Sequence, residues 1–240
     1  MTLAAETLRD WQDRVELVHA DYRRLAEVLD ARGVGEIGGA VADLGVSSLQ
    51  LSGEGRGFSF QRDEPLDMRM DRTQGPTAAD LIGSAREADL ADAIYTYGEE
   101  RFSRRIARLI VEARRIAPVT TTGQLASIVR RAVPRRGSLR IDPATRTFQA
   151  LRIWVNRELD GLDQVLELLA NRLSIGRRLA VITFHSLEDR IVKRTLRALE
   201  RGGQVAIRVL TKKPLVPTDV EVARNPRARS AKLRGAERLA

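Results

Sequence analysis

Residues 38–50, with the sequence GGAVADLGVSSLQ, constrain the fold of this chain more than any other stretch. Small and β-branched apolar residues run up to a single carboxylate, Asp43, and a glycine turn carrying two hydroxyls, Ser47 and Ser48, follows at once. A short apolar run bounded by turn residues reads as a buried strand, and in open α/β sheets ligands bind just outside the carboxyl ends of the parallel strands. An acid planted there faces a crevice, which makes Asp43 the first candidate site residue. The alternative is local: Asp43 caps the turn by accepting hydrogen bonds from the amides of Gly45 or Val46.

The segments on either side are consistent with an alternating α/β chain. The spacing of apolar positions predicts a helix over residues 3–11, a short strand over 15–20 and a helix over 22–32. His19, one of two histidines in the chain, reads as structural because no carboxylate stands at ligand spacing from it. Gly33, Gly35 and Gly38 spell the dinucleotide fingerprint, but a helix precedes them and a strand follows, the reverse of the order that brings a helix N-terminus to pyrophosphate. An ordinary helix-to-strand turn is expected there. A glycine-rich loop with Phe58, Phe60, Met68 and Met70 follows; its two phenylalanines either stack on a base or tuck under the loop as an anchor.

From Thr77, whose spacing to Asp80 is that of a capping box, the pattern turns helical, with Phe102, Ile106, Leu109, Ile110 and Ala113 forming one stripe. Arg101, Arg104, Arg105, Arg108, Arg114 and Arg115 lie mainly off that stripe, and Arg130, Arg131, Arg135, Arg136 and Arg140 follow. Such a face is either solvated surface or a track for phosphates. Residues 147–170 read as a long amphipathic segment interrupted at Gly161, and residues 177–184 as the next buried strand, ending at His185 and Ser186 on the same sheet edge as Asp43. Ser186 and Asp189 have capping-box spacing. A Ser-His-acid hydrolase is rejected, since adjacent residues cannot form the relay and no GxSxG elbow exists. The tail holds a strand over residues 205–210 and then a basic stretch, either a disordered tail or a final edge strand over 230–239.

Charge matters here because of the partner it selects. Lys plus Arg number 41 against 32 Asp plus Glu, a net charge of +9 in 240 residues, which favours an anionic partner such as nucleic acid. All but four of these cations are arginines, so compositional drift also contributes. The chain has no cysteine, which removes disulfides, thiolate catalysis and Cys-ligated zinc and is compatible with a reducing compartment. No apolar run approaches the ~18 residues of a membrane span, and no signal pattern opens the chain, so a cytoplasmic location with no membrane and no metal is expected.

Several motifs together carry a resemblance. Asp43-Leu44-Gly45-Val46-Ser47-Ser48 with Gln50, Arg56-Gly57-Phe58-Ser59-Phe60, Pro65-Leu66-Asp67-Met68-Arg69-Met70-Asp71, Tyr97-Gly98-Glu99-Glu100-Arg101-Phe102, Pro143-Ala144-Thr145-Arg146-Thr147-Phe148-Gln149-Ala150, Phe184-His185-Ser186-Leu187-Glu188-Asp189-Arg190 and Asn225-Pro226-Arg227-Ala228-Arg229-Ser230 resemble the bacterial ribosomal RNA small subunit methyltransferase H family over essentially the whole chain. The resemblance implies methyl transfer from S-adenosylmethionine to the exocyclic N4 amine of a decoding-centre cytosine in 16S rRNA. It implies a class I Rossmann-like sheet interrupted by an all-helical subdomain: residues 1–55 and 147–240 in the methyltransferase domain, residues 56–146 in the insert. It places Tyr22, Asp43 and Gln50 at the cofactor, Asp43, His185 and Ser186 beside the reacting base, and Arg104, Arg105, Arg108, Phe58 and Phe60 on the RNA.

One departure stands beside the match. Members of that family begin with a strand, a glycine-rich loop and a second strand ending in an acid, and none of these is found here, so the first two strands of the sheet are expected to be missing and Met1 to be an internal start. That leaves as the alternative a catalytically inactive truncated remnant that binds rRNA only. A different enzyme on a Rossmann-like sheet is disfavoured by the lack of a correctly placed glycine loop.

Overall fold

The computed structural model describes residues 2–47, 50–51, 53–134 and 142–240; Ser48, Arg135, Arg136 and Arg140, quoted above, lie outside the described residues. The chain is a mixed α/β protein that divides into a sheet unit, Met1–Leu44 with Asp160–Ala240, and a helical unit, Gly45–Leu159. The helical unit thus extends beyond the expected 56–146 at both ends. Its last helix shares the apolar cluster of its predecessors, through Ala144, Phe148 and Leu151, so packing assigns it there.

In the sheet unit, α1 (Thr2–Thr7) leads through a 3-10 turn at Arg9–Trp11 to a second at Tyr22–Arg24, which runs into α2 (Leu25–Asp30) and then β1 (Ala40–Asp43). Gly33 at φ +65 turns the chain out of α2, as a helix-to-strand turn requires. The strand expected over residues 15–20 does not form: no strand is assigned there, and Val15 and Val18 are exposed. A strand exists through its ladder, and among the described residues this segment has no partner.

The helical unit holds α3 (Ala78–Ser84), α4 (Glu87–Gly98), α5 (Ser103–Ile116), α6 (Thr122–Ala132) and α7 (Ala144–Asn156). Thr77 caps α3 in a capping box with Asp80, as expected, and Thr121 does the same for α6 with Gln124. Leu90, Ile94, Ile106, Ile110, Leu125 and Leu151 are fully buried, each from the apolar stripe of its own helix. Gly98 lets α4 and α7 meet closely, since a Cβ there would stand 2.6 Å from the Arg146 carbonyl oxygen.

The chain returns through α8 (Leu162–Arg172), β2 (Arg178–Thr183), α9 (Ser186–Gly202), β3 (Ile207–Val209), α10 (Asp219–Arg224) and β4 (Lys232–Arg238). Glycine 161 separates α7 from α8, as its place in the amphipathic segment suggests. The sheet order is β1-β2-β4-β3, with β1 parallel to β2 and both other pairs antiparallel. Leu162, Leu166 and Leu169 of α8, Val192, Leu196 and Leu199 of α9 and Leu179 and Val181 of β2 form the core of this unit.

The tail is neither disordered nor an edge. β4 lies between β2 and β3, and its charges are engaged: Arg234 is buried and forks onto Asp189 at 2.6 and 3.2 Å, while Glu237 meets Arg178 and Arg208, both at 3.0 Å. Burial pushes the Asp189 carboxyl upward, but the hydrogen bonds and charges of Arg234 and Lys232 outweigh it and hold the group below its ordinary value. A strand carrying this many charges is read from sequence as an edge, yet pairing makes its interior place affordable.

Candidate active site

The site is built at the carboxyl ends of β1 and β2. Asp43 stands opposite Ile182 in the parallel register, and the Leu44 amide donates to the Ile182 carbonyl at 3.0 Å. His185 and Ser186 follow three and four residues after Ile182, so the sheet brings Asp43, His185 and Ser186 to one edge. Asp43 is exposed, and among the described residues its carboxylate has neither hydrogen bond nor ion pair. The local alternative, a cap on the amides of Gly45 or Val46, is therefore not what the structure contains.

His185 takes a different position from the one expected. It is the N-cap of α9, in a capping box with Glu188, one residue earlier than the expected Ser186 and Asp189 pair. The Glu188 amide donates to His185 Nδ1 at 3.4 Å, and the Phe184 and His185 amides donate to Glu188 Oε2 at 2.8 and 3.3 Å. His185 Nε2 lies 3.2 Å from Glu188 Oε1 without a hydrogen bond, and the imidazole is only 6% exposed. Both ring nitrogens thus face Glu188 inside the protein, whereas the sequence reading places His185 beside the target base. As the N-cap, His185 fixes where α9 starts and hence where Ser186, its first residue, stands. Glu188, the buried carboxylate that organises this turn, was not singled out from the sequence, although its spacing to His185 is that of a capping box.

Tyr22 opens its 3-10 turn and donates its hydroxyl to the Asp160 carbonyl at 2.9 Å. Gln50 belongs to the helical unit. Its Oε1 accepts from the Ser47 amide at 2.7 Å while its own amide donates to Ser47 Oγ at 3.2 Å, a reciprocal cap at the start of a short turn.

Within the helical unit Arg104, Arg105 and Arg108 are exposed on α5, and among the described residues only Arg108 has an ion pair, with Glu112 at 3.8 Å. Arg114 instead donates to the Ile82 carbonyl at 2.6 Å, and Arg130 pairs with Asp142 at 2.8 Å. Phe58 and Phe60 are corrected. Phe58 is buried with the Arg56 guanidinium 5.6 Å from its ring centre, and Phe60 meets Phe148 edge-on at 4.9 Å with Arg130 over its face. Phe58 belongs to the apolar cluster and the half-buried Phe60 packs against it, so both anchor the loop. The loop they anchor is clamped by Asn156, which donates to the Met68 carbonyl and accepts from the Met70 amide, both at 2.7 Å.

Comparison with known proteins decides the family, since the model of the MraW methylase family matches residues 1–239. This chain belongs to the MraW methylase family. Within that family it is 47% identical over 251 residues to the ribosomal RNA small subunit methyltransferase H of Desulfosudis oleivorans, covering 98% of this chain and 80% of the relative. It is 52% identical to the protein of the same name from Rhodopseudomonas palustris, over 98% of this chain and 74% of the relative. It is 59% identical over 201 residues to that of a Cyanothece species, over 84% of this chain and 65% of the relative. No helix among the described residues is long and apolar enough to cross a membrane.

Proposed function

We propose that this MraW-family methylase transfers a methyl group from S-adenosylmethionine to the exocyclic N4 amine of a decoding-centre cytosine in 16S rRNA, on a class I Rossmann-like sheet. The observation that carries the reading is Asp43: an exposed carboxylate without a partner among the described residues, at the end of a parallel strand pair, in a chain matched along its length by a methylase family.

The exposed Asp43 carboxylate suits the cofactor, because it can accept from an ammonium or a hydroxyl, and Tyr22 is proposed to line the same pocket. When bound, S-adenosylmethionine supplies a methyl group made electrophilic by its sulfonium. Asp43 has a second use at the same edge. A cytosine amine is a weak nucleophile because its lone pair is delocalised into the ring, and a carboxylate accepting one of its protons favours the pyramidal form whose lone pair is free. Ser186, held at the first position of α9 by the His185 and Glu188 cap, is placed to hydrogen-bond the base. Gln50 keeps its side-chain NH2 for the cofactor, and Arg104, Arg105 and Arg108 track phosphates. A base within structured RNA has to be turned out of its stack to reach such an edge.

The test is methyl incorporation from labelled S-adenosylmethionine into small ribosomal subunits. Asp43→Ala is expected to lower the rate at least ~100-fold with an unchanged thermal melt, since the side chain is exposed and has no hydrogen bond or ion pair among the described residues. Wild-type turnover by that variant would remove Asp43 from the mechanism, and RNA binding without any methyl transfer by the unaltered chain would leave the RNA-binding remnant as the correct reading.

A further inference from the structure

A second basic surface lies on α9, apart from the arginines of α5. Arg190, Arg194, Arg197 and Arg201 recur at intervals of four, three and four residues, which on a helix of 3.6 residues per turn lines them up within one narrow stripe. All four are exposed, and half-buried Lys193 flanks them. The opposite face, Val192, Thr195, Leu196 and Leu199, is buried against the sheet unit's core, so the helix cannot roll to turn the stripe away. Among the described residues the acids of α9 form no ion pair with Arg194, Arg197 or Arg201. Glu188 is buried in the cap, Asp189 is taken by Arg234 and Lys232, and Glu200 accepts from the Val209 amide at 2.7 Å.

The contrast with the rest of the unit is informative. Arg172, Arg178, Arg208 and Arg234 each hold a carboxylate, whereas Lys193, Arg194, Arg197 and Arg201 have no ion pair among the described residues. The stripe also has a defined origin: α9 starts at Ser186, on the edge that carries Asp43, and the run from Arg190 to Arg201 extends about 16 Å along the helix from there.

We propose that Arg194, Arg197 and Arg201 of α9 form a contact surface for the RNA backbone, holding the phosphates of the strand that leads away from the reacting base. The inference rests on the rRNA reading above. Regularly spaced guanidiniums without protein partners suit a polyanion, since each can release a counterion by meeting one phosphate.

The experiment measures the affinity of the full chain for protein-free 16S rRNA as a function of potassium chloride, for wild type, for R194Q/R197Q/R201Q and for R208Q. The triple variant is expected to flatten the slope of log affinity against log salt by about two units and to bind about 100-fold more weakly near 0.1 M salt, with an unchanged circular dichroism melt. R208Q, whose arginine is already held by Glu237, keeps the wild-type slope. Should the triple variant perturb the melt, the three single variants, each lowering the slope by about 0.7, carry the test instead. A wild-type slope in all of them overturns the α9 proposal alone. Absence of any salt-dependent binding by wild type overturns this proposal together with the rRNA reading. Binding of wild type but not the triple variant to anionic vesicles, with RNA binding equal in both, also overturns it, giving the stripe to a membrane surface.

Discussion

The two units of this chain differ in how completely each covers its apolar residues. In the helical unit, Leu66, Met68, Ile82, Leu90, Ile94, Ile106, Ile110, Leu125 and Leu151 are at most 1% exposed, and its exposed large hydrophobics among the described residues are Tyr95 and Ile116 alone. The sheet unit exposes Leu3, Trp11, Val15, Val18, Val41, Ile175, Leu210, Leu215, Val216, Val220 and Leu239. Val41, in the middle of a parallel strand, is 75% exposed, although parallel strands are normally covered on both faces. Helices complete their backbone hydrogen bonds internally, so five short helices with matching stripes suffice for a closed core. A sheet closes only through neighbours on its edges and faces. The unit that carries Asp43 is therefore the less covered one.

That division can be broken most directly by paired core substitutions. Leu151→Ala in α7 is expected to cost about 2–5 kcal/mol, as buried leucine truncations do, whereas Val41→Ala in β1 should stay within about 0.5 kcal/mol. Urea denaturation read by circular dichroism distinguishes them, and equal costs would show that β1 is as well covered as the helical core. A smaller effect is expected at Gly57, which stands at φ +70 with the Asp67 amide 2.7 Å from where a Cβ would sit. Gly57→Ala should destabilise by about 1–3 kcal/mol, and because that loop belongs to the helical unit, hydrogen exchange should rise there and not along β2 and β4.

The smallest effect is on pH dependence, and it is shared. Burial raises Asp67, but its hydrogen bonds to the Arg69 side chain and amide, with the charges of Arg69 and Arg72, leave it below its ordinary value; Asp189 is lowered in the sheet unit by Arg234 and Lys232. A carboxyl whose folded value is depressed stabilises the fold above its unfolded value, and that contribution disappears as the pH falls through the folded value. Stability should accordingly fall between neutral pH and about pH 3, and Asp67→Asn or Asp189→Asn should each lower stability at neutral pH and flatten the acid limb. An acid limb unchanged in Asp189→Asn alone would mean that the sheet unit does not depend on its buried ion pair.

Much of this architecture was legible locally. The apolar run to Asp43 and the one ending before His185 are β1 and β2, the stripe through Ile106 and Ile110 is the buried face of α5, and Thr77 with Asp80 is a capping box. Each of these signals lies within a few residues of the structure it specifies. The readings that changed all depend on distant partners. Residues 15–20 have strand character and no ladder, and Phe58 and Phe60 have the look of stacking groups but sit in a core closed by Phe148.

By itself, then, the sequence determined the helices, the two parallel strands, the carboxylate at the end of the first, and, through motifs along its length, the methylase family. Tertiary structure alone decided that the charged tail segment becomes an interior strand, that His185 turns inward as a cap, and that Arg194, Arg197 and Arg201 of α9 have no ion pair among the described residues while Arg234 of β4 is held by Asp189. The physical reason is range. Helical periodicity and caps are set by interactions within about four residues, whereas the environment of a charge depends on which remote group arrives beside it: Arg234 is buried because Asp189, on another element, reaches it at 2.6 Å, and Arg197 faces solvent because no acid among the described residues does.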